Sequence, residues 1–198
     1  GFVNGDDASV VSGLNFTTLA DEFSDVGTYS ISPFEAFAAN YDFDYIPGTL
    51  TITKALLTVT ADSATREYGL ANPAFTGSIT GFRNSDDDSV VSGLVYGSAA
   101  TITSNVGSFA ITGSGASATN YDFSYVPGTL TITRALLTVT ADNATREYGL
   151  ANPAFTGSIT GFRNGDTASV VSGLTYGSTA VLNSGIGTYS ITGSGATS

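Results

Sequence analysis

TADSATREYGLANPAFTGSITGF, residues 60–82, returns as TADNATREYGLANPAFTGSITGF at residues 140–162 with one change, Ser63 to Asn143. Outward from it, NYDFDYIPGTLTIT (40–53) returns as NYDFSYVPGTLTIT (120–133), and SVVSGL begins at Ser9, Ser89 and Ser169. Every spacing is 80 residues, with no insertion or deletion. Self-similarity at a fixed period marks tandem modules. Lys54 and Arg134, which precede the two ALLTVTAD segments, set the frame. Residues 1–53 are then a partial copy without its opening strands. Residues 54–133 are a complete copy, and residues 134–198 a partial copy without its closing hairpin.

Within one copy the apolar pattern has period two. Leu57, Val59 and Ala61 alternate with Thr58 and Thr60, which predicts a strand. Gly69 and Asn72-Pro73 read as turns. Further strands are expected at 75–80, 95–103 and 108–112, with Phe109 and Ile111 inward. Asp or Asn ahead of Ser89-Val90-Val91 suits the cap of one helical turn, and Gly93 suits its far end. Tyr121, Phe123 and Tyr125 alternate toward Val126-Pro127-Gly128-Thr129. That tetrapeptide fits a type II turn and predicts a hairpin. The return strand runs into the next copy without Gly or Pro, so a single strand over 129–142, about 45 Å long if unbroken, is expected. The fold class is mainly β: tandem modules of about 80 residues, each an immunoglobulin-like sandwich or a β-grasp-like sheet, with at most one short helix, forming an elongated rod. A helix packed across the sheet at 90–92 favours the β-grasp; a mere turn favours the sandwich.

Composition narrows the function classes. Apolar residues make up 41% of the 198, enough for a core. Charged residues make up only 12%, and 17 acidic against 6 basic give a net charge of −11. Nucleic acid is thereby an unexpected partner, because phosphate must be neutralised by cations. No apolar run is long enough to cross a bilayer as a helix, so no membrane insertion is expected. The chain has no Cys, His, Met or Trp. The usual catalytic triads and imidazole or thiolate metal sites need residues it lacks. Without Met, residue 1 reads as internal to a longer chain.

The marks that separate these copies from generic strands fall in a fixed order. They are Leu57-Thr58-Val59-Thr60-Ala61-Asp62, Tyr68-Gly69, Asn72-Pro73, the Gly81-Phe82-x-Asn84-x-Asp86 segment, Gly107, Asn120-Tyr121-Asp122 and Gly128-Thr129-Leu130-Thr131. In this order they resemble the MBG repeat of the YGX type, over the whole chain. The resemblance implies a long bacterial surface or secreted protein, often an adhesin, in which repeats serve as stalk or scaffold. It implies an extracellular location, no catalytic residues and no cofactor. Tyr68, Gly69, Pro73, Gly93, Pro127 and Gly128 are expected to be structural. Copy one departs from the pattern, with Pro33-Phe34-Glu35-Ala36-Phe37 in place of Gly113-Ser114-Gly115-Ala116-Ser117. Phe34 and Phe37 are candidates for contact with a glycan or a host protein, or for packing on their own module.

Two acidic clusters are candidates for Ca²⁺, which favours grouped oxygen ligands. Asp86, Asp87 and Asp88 form one, for which capping is the competing explanation. Asp42 and Asp44 share one strand face with Asn40 and form the other, for which a solvated face competes. Arg66 and Glu67 point to opposite faces of a strand and are expected to form ion pairs with separate partners across strands or repeats. Expected partners of the chain are its own neighbouring repeats and other copies head to tail. Copy one lacks the opening strands that copy three has, and copy three lacks the closing segment that copy one has. Unpaired strand edges template addition. Charge agrees: copy one has eight acidic and no basic residues, copy two six and three, copy three three and three. The alternative to a stalk is therefore a fibre subunit joined by strand exchange.

Overall fold

The computed structural model describes residues 1–198. The chain is β-structured, with one three-residue 3-10 turn per copy, at Ala8–Val10, Asp88–Val90 and Ala168–Val170. Copy one holds β1 (Asn15–Thr18), β2 (Gly27–Phe34) and β3 (Gly48–Ile52). Copy two holds β4 (Ala55–Ala61), β5 (Ala64–Glu67), β6 (Gly77–Thr80), β7 (Val95–Gly97), β8 (Gly107–Ser114), β9 (Tyr121–Val126) and β10 (Gly128–Thr133). Copy three holds β11 (Thr138–Ala141), β12 (Gly157–Thr160), β13 (Thr175–Ser178) and β14 (Ile191–Ser194). Two compact units form. One comprises Gly1–Asp62, Phe75–Gly97 and Ile111–Gly128, and the other comprises Ser63–Ala74, Ser98–Ala110 and Thr129–Ser198.

In the first unit β4 is the centre of a three-stranded sheet. It pairs antiparallel with β6 and parallel with β9. Its alternation works as the sequence predicts, with Leu57, Val59 and Ala61 buried. The second half of β8 pairs with β7 and lies face to face with that sheet. Gly113 stands where a side chain would press on Val59 and Tyr125, at 3.1 Å from each. Glycine is the residue that lets the two sheets close here. Copy one contributes the meander β1-β2-β3.

In the second unit β10 stands between β5, its parallel neighbour, and β8. Leu130 and Ile132 are fully buried. Copy three repeats the facing arrangement: β11 pairs with β12, β13 with β14, and Gly193 lies 3.0 Å from Val139 where a Cβ would be. Two facing sheets with only a 3-10 turn match the sandwich expectation better than the β-grasp, which needs a helix across its sheet.

Three local expectations are corrected. The first is the closing hairpin. β9 and β10 do not pair with each other; β9 joins β4, and β10 joins β5 and β8. Gly128 has no positive φ, so it serves no type II turn. A Cβ on it would stand 2.6 Å from the Ala61 carbonyl oxygen and closer still to that of Asp62. The glycine is there for backbone approach, and Pro127-Gly128 changes sheets. Second, the long strand over 129–142 is broken: β10 ends at Thr133 and β11 begins at Thr138. The chain leaves the β5–β10–β8 ladder for that of β12, and one straight run cannot serve both. Third, β7 stops at Gly97 rather than reaching Thr103. Ser98 Oγ accepts from Ala100 N and Ser104 Oγ from Thr101 N. Such hydroxyls bend the backbone into turns at the expense of ladders.

Candidate functional site: the junction between repeats

The side chains that tie one copy to the next recur with the repeat. Asn84, in copy two, sits at φ 52 in a tight turn closed by Asp86 N donating to Arg83 O at 2.8 Å. Asparagine tolerates this left-handed conformation better than most residues. The turn aims the Asn84 amide at copy one, where Nδ2 donates to Glu22 O at 2.7 Å. In the second unit Asn164 sits at the same φ, in the same turn, and its Nδ2 donates to Ile102 O of copy two at 3.1 Å. One bond therefore recurs, translated by 80 residues.

Other contacts reinforce each junction. At the first, Asn120 Nδ2 donates to Asp25 Oδ1 at 2.7 Å, and its Oδ1 accepts from Val26 N at 2.9 Å. At the second, Arg163 pairs with Glu67 at 3.6 Å. Both partners of that pair are well exposed, so it is worth at most about 1 kcal/mol. Gly69 has φ +79, and a Cβ on it would overlap the Arg163 side chain. The Tyr-Gly mark thus lets copy three approach copy two.

Inside copy two, Tyr121 anchors β9. It is buried; its hydroxyl donates to Asp86 Oδ2 at 2.6 Å and accepts from Arg83 N at 2.9 Å. Phe82 meets its ring edge to face at 6.0 Å. Burial first, then the bond to ionised Asp86, raises the phenol above its ordinary value. Arg66 is the one buried charged residue. It bonds Asn72 Oδ1 and the carbonyls of Glu67 and Thr101, and Asn72 holds Ala100 O. Arg66 and Glu67 do part to different partners, but only Glu67 makes an ion pair. Arg146 and Asn152 repeat the clamp in copy three.

The acidic candidates separate into individual tasks. Asp86 holds Tyr121. Asp87 caps the 3-10 turn by accepting from Ser89 N at 2.9 Å, and hydrogen bonds from Ser89 hold its carboxyl below the ordinary range. Asp88 begins the turn. Asp42 and Asp44 are exposed. No three acidic side chains converge as a metal-binding group. Tyr68 donates its N–H to Thr133 O at 2.8 Å, and Pro73 and Pro127 are exposed. Gly93 has φ +73 and faces the Gly115 carbonyl. In copy one Glu35 takes the place of Gly115 at φ 60, and Phe37 pairs with Ser12 through the backbone. Phe34 and Phe37 are both exposed. The sequence marks Asn84 and Asn120 as recurring and gives Arg66 a partner elsewhere, but it does not show that the two asparagines join copies or that Arg66 is buried. Arg66 and Asn72 recur as Arg146 and Asn152, which is a signal, but recurrence alone does not say which surface a residue faces.

No helix is long and apolar enough to cross a membrane. The family model described as MBG domain (YGX type) matches residues 1–51, 57–131 and 137–198. No curated protein matches. No solved structure matches.

Proposed function

Because the chain belongs to the MBG domain family of the YGX type, we propose that it is a structural extender, a stalk segment of an extracellular bacterial adhesin or surface fibre. The observation that carries this reading is the junction bond repeated from Asn84 to Asn164. A role that needs reach rather than chemistry is served by copies joined in one way each time. The family is a structural repeat domain, and the acidic side chains already serve caps, anchors and solvent. A non-catalytic role follows from that reading. The proposal predicts an elongated particle in small-angle scattering. A compact globule sinks it.

A second reading is favoured by one local feature. Copy one alone exposes two aromatics, Phe34 at the end of β2 and Phe37 just beyond it, where copy two has Ser114 and Ser117. Exposed aromatics suit contact with a glycan or a host protein. Binding on a glycan array or to host extracellular proteins that disappears in Phe34→Ser/Phe37→Ser supports it. Unchanged or absent binding removes it.

A further inference from the structure

We propose that Asn164-Gly165 is a self-modification site: the asparagine turns spontaneously into aspartate and isoaspartate, and the bond it makes to copy two is lost. The inference goes beyond the extender role, which does not depend on it.

Asn164 and Gly165 are both exposed and form the centre of the turn that Asp166 N closes by donating to Arg163 O at 2.8 Å. Their φ values are 52 and 80, the paired positive angles of a type I′ turn. Asn-Gly suits that turn best, yet copy two makes it with Asn84-Ser85, at φ 52 and 66. The turn therefore does not require the glycine. Glycine adds a main-chain nitrogen with no side chain beside it, open to close approach. Gly165 N makes no hydrogen bond. A Cβ placed on Gly165 would meet nothing within 4 Å, so no neighbour shields this nitrogen. The exposure is not peculiar to copy three, because Asn84 and Ser85 are exposed in the complete copy as well.

The reaction consumes only water. Gly165 N attacks Cγ of Asn164, the new N–Cγ bond closes a cyclic imide, and the Cγ–Nδ2 bond breaks. Nδ2 leaves as ammonia, with the proton that Gly165 N gives up. Water then opens the ring at either carbonyl. Cleavage between the nitrogen and Cγ gives aspartate. Cleavage between the nitrogen and the Asn164 main-chain carbonyl carbon gives isoaspartate, whose chain runs on through the side chain. Nothing is oxidised or reduced. The atom that leaves is the atom that makes the junction, since Nδ2 is the donor to Ile102 O at 3.1 Å. Its loss sets a carboxylate against a carbonyl, two acceptors with no proton between them. Isoaspartate also inserts a methylene into the backbone of the turn. At the other junction Asn84 Nδ2 reaches Glu22 O at 2.7 Å, and the side chain of Ser85 hinders the same attack. The chain carries one durable joint and one that ages.

The test is incubation of the 198-residue chain at mildly alkaline pH, followed in time by peptide mapping with tandem mass spectrometry. The expected result is aspartate and isoaspartate at 164 while Asn84 stays intact. Asn4-Gly5, the other Asn-Gly pair, has φ 56 and 83 and converts as well, and mapping tells the two apart. Gly165→Ser, which installs the turn of copy two, slows conversion at 164 at least about tenfold, and Ser85→Gly transfers it to 84. Scattering from the aged chain broadens as it does for fresh Asn164→Asp, whereas aged Gly165→Ser keeps the fresh profile although Asn4 has converted. An Asn164 that stays intact in the folded chain for as long as full conversion takes in guanidinium overturns the site. Conversion at 84 as fast as at 164 overturns the role of the glycine. Full conversion at 164 with an unchanged scattering profile overturns the effect on the junction. All three leave the extender reading untouched.

Discussion

At the scale of single residues, the least satisfied group is the Tyr96 hydroxyl. It is buried without a hydrogen-bond partner, against Gly77. An unpaired buried hydroxyl is costly, so Tyr96→Phe is expected to be neutral or stabilising by up to about 1 kcal/mol in urea unfolding. Copy one carries Phe16 at this position. Tyr121 is the opposite case, with both its hydrogen-bonding roles met. Tyr121→Phe is expected to destabilise by about 1–3 kcal/mol at neutral pH, through the stranded Asp86 and Arg83 partners. Its pH dependence has a definite sign. The folded state raises the phenol above its ordinary value of 10.0, so it holds the proton more tightly than the unfolded chain. That contribution is full below pH 10 and is lost as pH rises through the folded-state value. The stability gap between the parent chain and Tyr121→Phe should therefore narrow in alkaline denaturation. A gap that widens above pH 10 contradicts the assigned environment. Tyr121 was legible as an inward strand residue, because alternation shows facing. Its partner Asp86 was legible only as one of an acidic run. A run of three Asp carries no mark saying that one anchors a phenol, one caps a turn and one is free.

At the scale of elements, the instructive piece is Pro127-Gly128. Proline followed by glycine fits a turn, and the flanking segments are good strands, so a hairpin was the natural local reading. The outcome is decided by distant strands. β4 offers an edge to β9, and β5 offers one to β10, so the two segments separate into different ladders. Non-local pairing of this kind leaves no local signature, since β9 and β10 would be equally apolar in either arrangement. The glycine is still indispensable, for a different reason. Gly128→Ala should cost about 1–3 kcal/mol, the usual penalty for forcing atoms into a closed space. The reason is that its Cβ meets the Ala61 and Asp62 carbonyls. A type II turn would instead have shown a positive φ. The two explanations separate with a D-alanine at this position in a semisynthetic chain. D-alanine relieves a positive-φ glycine, and it should give no relief specific to turn geometry here. By contrast, β4 was legible almost residue for residue. Its Leu57 and Val59 are fully buried, and Leu57→Ala is expected to cost about 2–5 kcal/mol.

At the scale of the whole molecule, the 80-residue period was the most legible feature and also the most informative. Exact recurrence over long segments needs no knowledge of the fold to be seen. How successive copies attach was not legible. The expected device was one uninterrupted strand, and the junction instead uses an asparagine in a left-handed turn, aimed at the preceding copy. Asn84→Gly and Asn164→Gly keep that backbone conformation and delete the bond. They should leave the melting temperature of the chain nearly unchanged while broadening its distribution of lengths in scattering. The proposed extension of the chain by a fixed step per repeat can be checked by small-angle scattering on arrays of successive whole copies of residues 54–133. The expected maximum dimension grows linearly with copy number, by the same increment for every copy added. Growth of the radius of gyration as about the 0.38 power of residue number, as in a compact globule, or about the 0.6 power, as in a flexible chain, contradicts it.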